Sequence, residues 1–250
     1  MVDISLVVFD MAGTTVSDKR EVETCFSEAC KDTGLDVSDE RILELQGYAK
    51  RDVFELLWKE KLGNSHELKD YVDLSYNTFC EILENHYQES EILPTEHCLG
   101  IFDLLKKNDI KIALTTGFYR KVTNIILDKL GWLDGLNDDF VKIGGKTPID
   151  ISITPTEVPA GRPKPYMIER AVDFLNISEG SRIVKIGDTP VDLEEGYNAK
   201  VWKSLAVTNG SHSHQQLSSF KNDGLLKSLA DLPKILSIDV QKENRNFITF

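Results

Sequence analysis

The feature that most constrains this chain is a short apolar run that stops on a carboxylate: Ile4-Ser5-Leu6-Val7-Val8-Phe9, then Asp10. The figure returns along the sequence. Ile110 to Leu114 leads into Thr115-Thr116-Gly117, Arg182 to Ile186 ends in Gly187-Asp188, and Val201 to Val207 forms a fourth run. Short, mainly apolar runs of this kind fit strands covered on both faces. Helical patterns lie between them. Cys98, Ile101, Phe102 and Leu105 recur at helical spacing after Pro94-Thr95, and Val122, Ile125, Ile126 and Leu130 do so before Gly131. The alternation predicts an α/β fold, a Rossmann-like doubly wound parallel sheet with helices on both faces.

One stretch breaks that alternation. From about Lys19 to Ser90 only charge-rich helical patterns occur, with Trp58, Leu62, Tyr71, Leu74, Phe79 and Leu83 as candidates for a core of their own. The expected layout is a helical cap, residues 18–92, inserted after the first strand of a core formed by residues 1–17 and 93–250. The linkers fall near Val16–Lys19 and Glu91–Thr95. Phe140 to Ile153 reads as two short strands around Gly144-Gly145-Lys146-Thr147-Pro148, or as a strand and a loop. The tail after Asp239 is polar and is expected to be mobile.

Composition narrows the partners. With 29 Lys+Arg against 41 Asp+Glu the net charge is -12, which argues against nucleic acid or an anionic membrane, since both require a basic face. A small anionic substrate remains compatible, because a metal ion and a few cations can make one site locally positive. The four cysteines, Cys25, Cys30, Cys80 and Cys98, include no C-x-x-C pair, and no basic segment precedes a long apolar stretch at the N-terminus. A cytoplasmic protein, monomer or homodimer, is expected.

Ligands of open parallel sheets bind beyond the carboxyl ends of the strands. Asp10, Thr116 and Asp188 each follow an apolar run in that position. Singly, such residues are more often turn formers or helix caps; together they would set two carboxylates and a hydroxyl at one rim.

The local motifs carry a resemblance. Asp10-Met11-Ala12-Gly13-Thr14-Thr15, Gly161-Arg162-Pro163-Lys164-Pro165 and Gly187-Asp188-Thr189-Pro190-Val191-Asp192 resemble the D-x-x-G-T, G-[KR]-P-x-P and G-D-x-x-x-D segments of the haloacid dehalogenase (HAD) superfamily, in that family's order. The resemblance implies a Mg²⁺-dependent hydrolase with Asp10 as nucleophile, forming an aspartyl phosphate. The ion would be held by Asp10, the carbonyl of Ala12 and Asp188, with Asp192 on a bound water. Arg162 would offer donors to phosphoryl oxygens and hold Asp10, with Lys164 close enough to share the role, and Thr116 would donate one further hydrogen bond. Ala12, Gly13, Thr14, Gly47 and Gly117 would contact substrate.

Ala12 stands where ordinary HAD phosphatases carry a second aspartate, their general acid and base. That loop, together with Val158-Pro159-Ala160-Gly161-Arg162-Pro163, resembles the phosphonatase-like subgroup, in which a cap lysine forms a Schiff base with an aldehyde phosphonate. Gly47-Tyr48-Ala49-Lys50 is similar to the G-x-x-K cap segment of that subgroup. Lys50 is then the Schiff-base candidate, or else one more solvated helix lysine. The subgroup's histidine after the lysine is Val53 here, its methionine before the cap glycine is Gln46, and its tyrosine after Thr-Thr-Gly is Phe118. Arg51 and Tyr48 are local candidates to replace the lost proton shuttle. The functions that follow are cleavage of a C–P bond in a small phosphonate, hydrolysis of a small phosphate ester, or phospholigand binding without turnover.

Overall fold

In the computed structural model, which describes residues 4–180 and 182–238, the chain runs β1 (Ile4–Phe9), α1 (Glu21–Asp32), α2 (Asp39–Glu44), α3 (Lys50–Leu62), α4 (Leu68–Glu89), α5 (Cys98–Lys107), β2 (Lys111–Thr115), α6 (Arg120–Lys129), β3 (Ile151–Ile153), α7 (Tyr166–Phe174), β4 (Arg182–Gly187), α8 (Pro190–Asn198), β5 (Lys203–Val207), α9 (His214–Leu217), β6 (Leu225–Leu226) and α10 (Leu232–Leu236). The six strands form one parallel sheet in the order β3-β2-β1-β4-β5-β6. β1 is central because it is apolar on both faces. Leu6 and Val8 pack with Met167, Ile168 and Ala171 of α7, while Val7 and Phe9 face the larger cluster that includes Phe102 and Val122. That division follows from the two-residue period of a strand.

β2 starts and ends one residue later than expected, and β5 starts two residues later. In the ambiguous stretch only Ile151–Ile153 is a strand. Val141 meets it through an isolated antiparallel bridge, and Gly144 and Gly145 lie in the intervening loop. The two-residue β6 carries no periodicity to read. The expectation for the tail after Asp239 lies outside the described residues. No described helix is long and apolar enough to cross a membrane.

Between β1 and β2 the chain forms α1 to α5, of which α1 to α4 make up the helical insertion. The chain leaves and re-enters the sheet domain side by side: Val16 bridges Pro94, Ser17 N–H donates to the Leu93 carbonyl at 2.9 Å, and Thr95 N–H donates to Thr15 at 3.0 Å. Phe26, Phe54 and Phe79 pack ring on ring, with centroids 4.5 to 6.1 Å apart, and Trp58 Nε1 donates to Ser75 Oγ at 2.8 Å. These residues do not form a separate core; they join the cluster that contains Phe9 and Phe102. Leu74, expected inside, is 52% exposed.

The insertion is seated over the strand ends. Tyr119 Oη donates to Glu84 at 2.8 Å, Lys121 pairs with Glu84 at 2.6 Å, and Tyr87 meets Phe118 edge-on at 5.8 Å. The Gly47-Tyr48 turn rests on Gly117, where an added Cβ would lie 2.7 Å from the Gly47 carbonyl oxygen and 2.9 Å from that of Tyr48.

Candidate active site

β1 and β4 are neighbours, so the residues that follow them, Asp10 and Asp188, arrive side by side. Asp10 N–H donates to the Ile186 carbonyl at 2.9 Å, and beyond it the chain turns sharply: the amides of Thr14, Thr15 and Val16 all donate to the Met11 carbonyl. Gly13 takes φ +82°, and a Cβ there would stand 2.3 Å from Asp188 Oδ2, so the turn requires glycine for both conformation and space. Ser211 grips Asp188 Oδ2 from the other side through its amide and its hydroxyl, each at 2.7 Å.

Behind Asp10 lies a buried charge network. Arg162 contacts Asp10 Oδ1 at 2.6 Å, Asp192 Oδ1 at 2.8 Å and Glu195 Oε2 at 3.2 Å. The last two contacts are ionic, with angles that fall short of hydrogen bonds. Lys185, in the middle of β4, reaches Asp192 Oδ1 at 2.9 Å and Glu195 Oε2 at 3.0 Å and donates to Thr115 Oγ1 at 2.9 Å. The other Asp192 oxygen accepts from Thr189 Oγ1 at 2.6 Å as part of the capping box that starts α8.

Two cations, Arg162 and Lys185, face four carboxylates, Asp10, Asp188, Asp192 and Glu195, so the cluster is two positive charges short. Electrostatics register the deficit. Burial above all pushes Asp10 up to about 6 against the pull of Arg162, and burial with the nearby Asp10 and Asp192 pushes Asp188 up to about 7. Burial also opposes ionisation of Asp192, but Arg162 and Lys185 outweigh it and hold Asp192 at about 2. Asp10, Asp188 and Asp192 each offer an oxygen, all within 4.8 Å of one another. A deficit of two charges beside three hard oxygen donors suits a divalent cation of the Mg²⁺ type.

A pocket opens in front of Asp10. It is lined by Ala12, Gly47, Lys50, Thr116, Gly117 and Asp188, among others. Lys50, the first residue of α3, is 8% exposed; its Nζ donates to the Leu45 carbonyl at 3.3 Å and lies 5.7 Å from the centre of the Phe26 ring. Burial lowers its pKa to about 8, with Arg162 adding to the effect and Asp18 and Glu23 pulling the other way. It is therefore not a solvated helix lysine.

Several expectations change. Arg162 does not line the pocket; its guanidinium is committed to Asp10, Asp192 and Glu195. Lys164 is exposed and shares none of this. Gly13 and Thr14 sit against Asp188, with Thr14 Oγ1 donating to it at 3.4 Å, and do not line the pocket. Arg51 is ion-paired to Asp73 over the Tyr76 ring, away from the site, whereas Tyr48 does reach the pocket wall. Thr116 lines the pocket while its Oγ1 accepts from Phe118 N–H at 3.1 Å.

The family model for haloacid dehalogenase-like hydrolases matches residues 4–200. The chain belongs to this family. It is 34% identical over 223 residues to a bifunctional phosphonoacetaldehyde hydrolase/aminoethylphosphonate transaminase of Clostridioides difficile (strain 630), covering 83% of this chain and 32% of that protein. It is 32% identical over 226 residues to a phosphonoacetaldehyde hydrolase of Bacillus cereus (strain G9842), covering 83% of this chain and 77% of the relative. A crystallised hydrolase from Pseudomonas syringae shares the fold, with a TM-score of 0.75 at 16% identity over 93% of this chain and 98% of that one.

Sequence reasoning missed four members of this HAD site: Lys185, Glu195, Ser211 and Asp18. Two left a signal. A lysine between Val184 and Ile186 inside an apolar strand demands a buried partner, and Glu195 follows Asp192 by three residues, on the same face of α8. Ser211 and Asp18 sit in a loop and a linker, where no periodicity marks them.

Proposed function

We propose that this HAD hydrolase uses Mg²⁺ and the Asp10 carboxylate to cleave the C–P bond of a small aldehyde phosphonate, with Lys50 as the imine-forming amine. The observation that carries the reading is the lysine itself, buried in the same pocket as Asp10 and with its pKa lowered to about 8. At pH 7 about one tenth of such an amine is free base, roughly 300-fold more than at the ordinary lysine pKa.

In this reading the Lys50 amine adds to the substrate aldehyde and water is lost, leaving an iminium. Asp10 attacks phosphorus while Arg162, from behind, fixes its orientation. The electron pair of the breaking C–P bond passes into the iminium, giving an enamine on Lys50 and an acyl phosphate on Asp10. The enamine takes a proton on carbon and is hydrolysed to the free aldehyde; water cleaves the acyl phosphate. Asp10, the Ala12 carbonyl, Asp188 and Asp192 would hold a divalent cation, which would supply the positive charge that lets a carboxylate approach a phosphoryl dianion. Thr116, Gly117 and Gly47 shape the substrate cavity. Residues 18–92 act as a cap whose seating on Gly117 excludes water, over a core of residues 1–17 and 93–250.

Borohydride reduction in the presence of phosphonoacetaldehyde tests the reading. Inactivation of the wild type with mass added at Lys50, and none in Lys50→Arg, is expected. Mg²⁺-dependent phosphate release should vanish in Asp10→Asn. Equal phosphate release from small phosphate esters by wild type and Lys50→Arg, without trapping, would instead make the chain a phosphomonoesterase.

A further inference from the structure

Ala12 can neither give nor take a proton, and the reaction above requires both: a proton for the departing carbon and a base for the attacking water. We infer, on the strength of the Lys50–Asp10 reading, that Asp18 is the acid–base group of this site. It is on the linker by which the chain leaves β1, eight residues beyond Asp10, and it lines the same pocket as Asp10 and Lys50.

The alternatives along that wall are occupied. Asp188 is held by Ser211, Thr189 donates to Asp192, and Thr116 accepts from Phe118 N–H. Burial, with the charge of Glu194, raises the Tyr48 pKa, which removes it as a base near neutrality. Asp18 is placed differently. Its Oδ1 accepts from Glu21 N–H at 2.8 Å, which anchors the carboxyl at the start of α1. Of the acids around Lys50, Asp18 acts most strongly on the ammonium when ionised, ahead of Glu23 and Asp10. The other titratable groups that interact with it are Glu21, Asp188, Cys25 and Tyr87. Burial and a hydrogen bond shared with the Glu21 carboxyl push Asp18 up to about 8, so the Asp18–Glu21 pair holds a proton at neutral pH.

The proton count closes. Once the C–P electron pair has passed into the iminium, protonated Asp18 gives its proton to the enamine carbon and becomes a carboxylate. The carboxylate then takes a proton from the water that attacks the acyl phosphate on Asp10, and the acid is restored.

The test is Asp18→Asn in the full chain with Mg²⁺ and phosphonoacetaldehyde. Asparagine keeps an oxygen for Glu21 N–H, so the start of α1 is retained; Asp18→Ser serves if that variant does not fold. Expected are a 10²- to 10⁴-fold loss in kcat, a KM within a fewfold, and loss of the fall in wild-type activity above about pH 8. Borohydride should still trap the Lys50 adduct. Wild-type turnover with trapping intact overturns the role of Asp18 and leaves the imine reading standing. If the wild type is never trapped and cleaves esters, the imine reading fails, and leaving groups decide about Asp18. Selective loss on phenyl phosphate, with dinitrophenyl phosphate spared, upholds it, since a good leaving group needs no acid. Equal activity on both overturns it.

Discussion

Replacing Lys50 by methionine should make the protein more stable at low pH and less active. The side chains are similar in length, so the pocket is not left with a void. The move of the lysine from 10.5 to about 8 corresponds to about 3 kcal/mol against the charged, buried form. Loss of the hydrogen bond to the Leu45 carbonyl gives back about 1 kcal/mol. Methionine should therefore gain about 2 kcal/mol at pH 6, where lysine is protonated both folded and unfolded. As pH rises through about 8, the folded wild type sheds its proton while the unfolded chain keeps one until about 10.5. The unfolded state then binds more protons, wild-type stability rises relative to the variant, and the gap closes by about pH 10. Urea unfolding at pH 6, 8 and 9.5 reads the trend. A gap that does not change with pH, or a variant less stable at pH 6, would show that the amine is solvated, and the argument for a reactive lysine would go with it.

Three further outcomes follow from the geometry. Gly117→Ala places a methyl 2.7 Å from the Gly47 carbonyl oxygen, so the Gly47-Tyr48 turn must shift; kcat should fall at least ~10-fold, and normal kcat would remove the closed seating from the mechanism. Ser211→Ala deletes one of two donors to Asp188 Oδ2 and should weaken Mg²⁺ binding ~10- to 100-fold in calorimetric titration, while wild-type affinity would sever the serine from the ion. Arg162→Met leaves Asp10, Asp192 and Glu195 with Lys185 alone and should cost about 3–5 kcal/mol in denaturant unfolding; an unchanged midpoint would mean the network is hydrated in solution.

Much of the candidate site was legible because Asp10, Thr116 and Asp188 each follow a strand. The apolar run before Asp10 and the run before Asp188 announce two strands, and a parallel sheet sends both carboxyl ends to one rim; the sheet order, with β1 beside β4, makes them neighbours there. Lys50 was legible as a candidate but not as an amine, because a helix-starting lysine reads the same whether it points to solvent or to Phe26. Arg162 was legible as a cation near Asp10, but which carboxylates would claim its guanidinium was not.

Sequence by itself determined the alternation of strands and helices, the helical insertion after the first strand, and the order of the acidic loops, since these rest on local periodicity and turn chemistry that a few neighbouring residues settle. Tertiary structure alone decided that Lys185 and Glu195 join Arg162 and Asp192 in one buried network, that Ser211 braces Asp188, and that Asp18 reaches the pocket of Asp10 and Lys50. Each of these contacts spans distant segments or depends on the path of a linker or loop. Burial and the nearest opposite charge, which fix protonation and therefore chemistry, exist only once those segments are packed together.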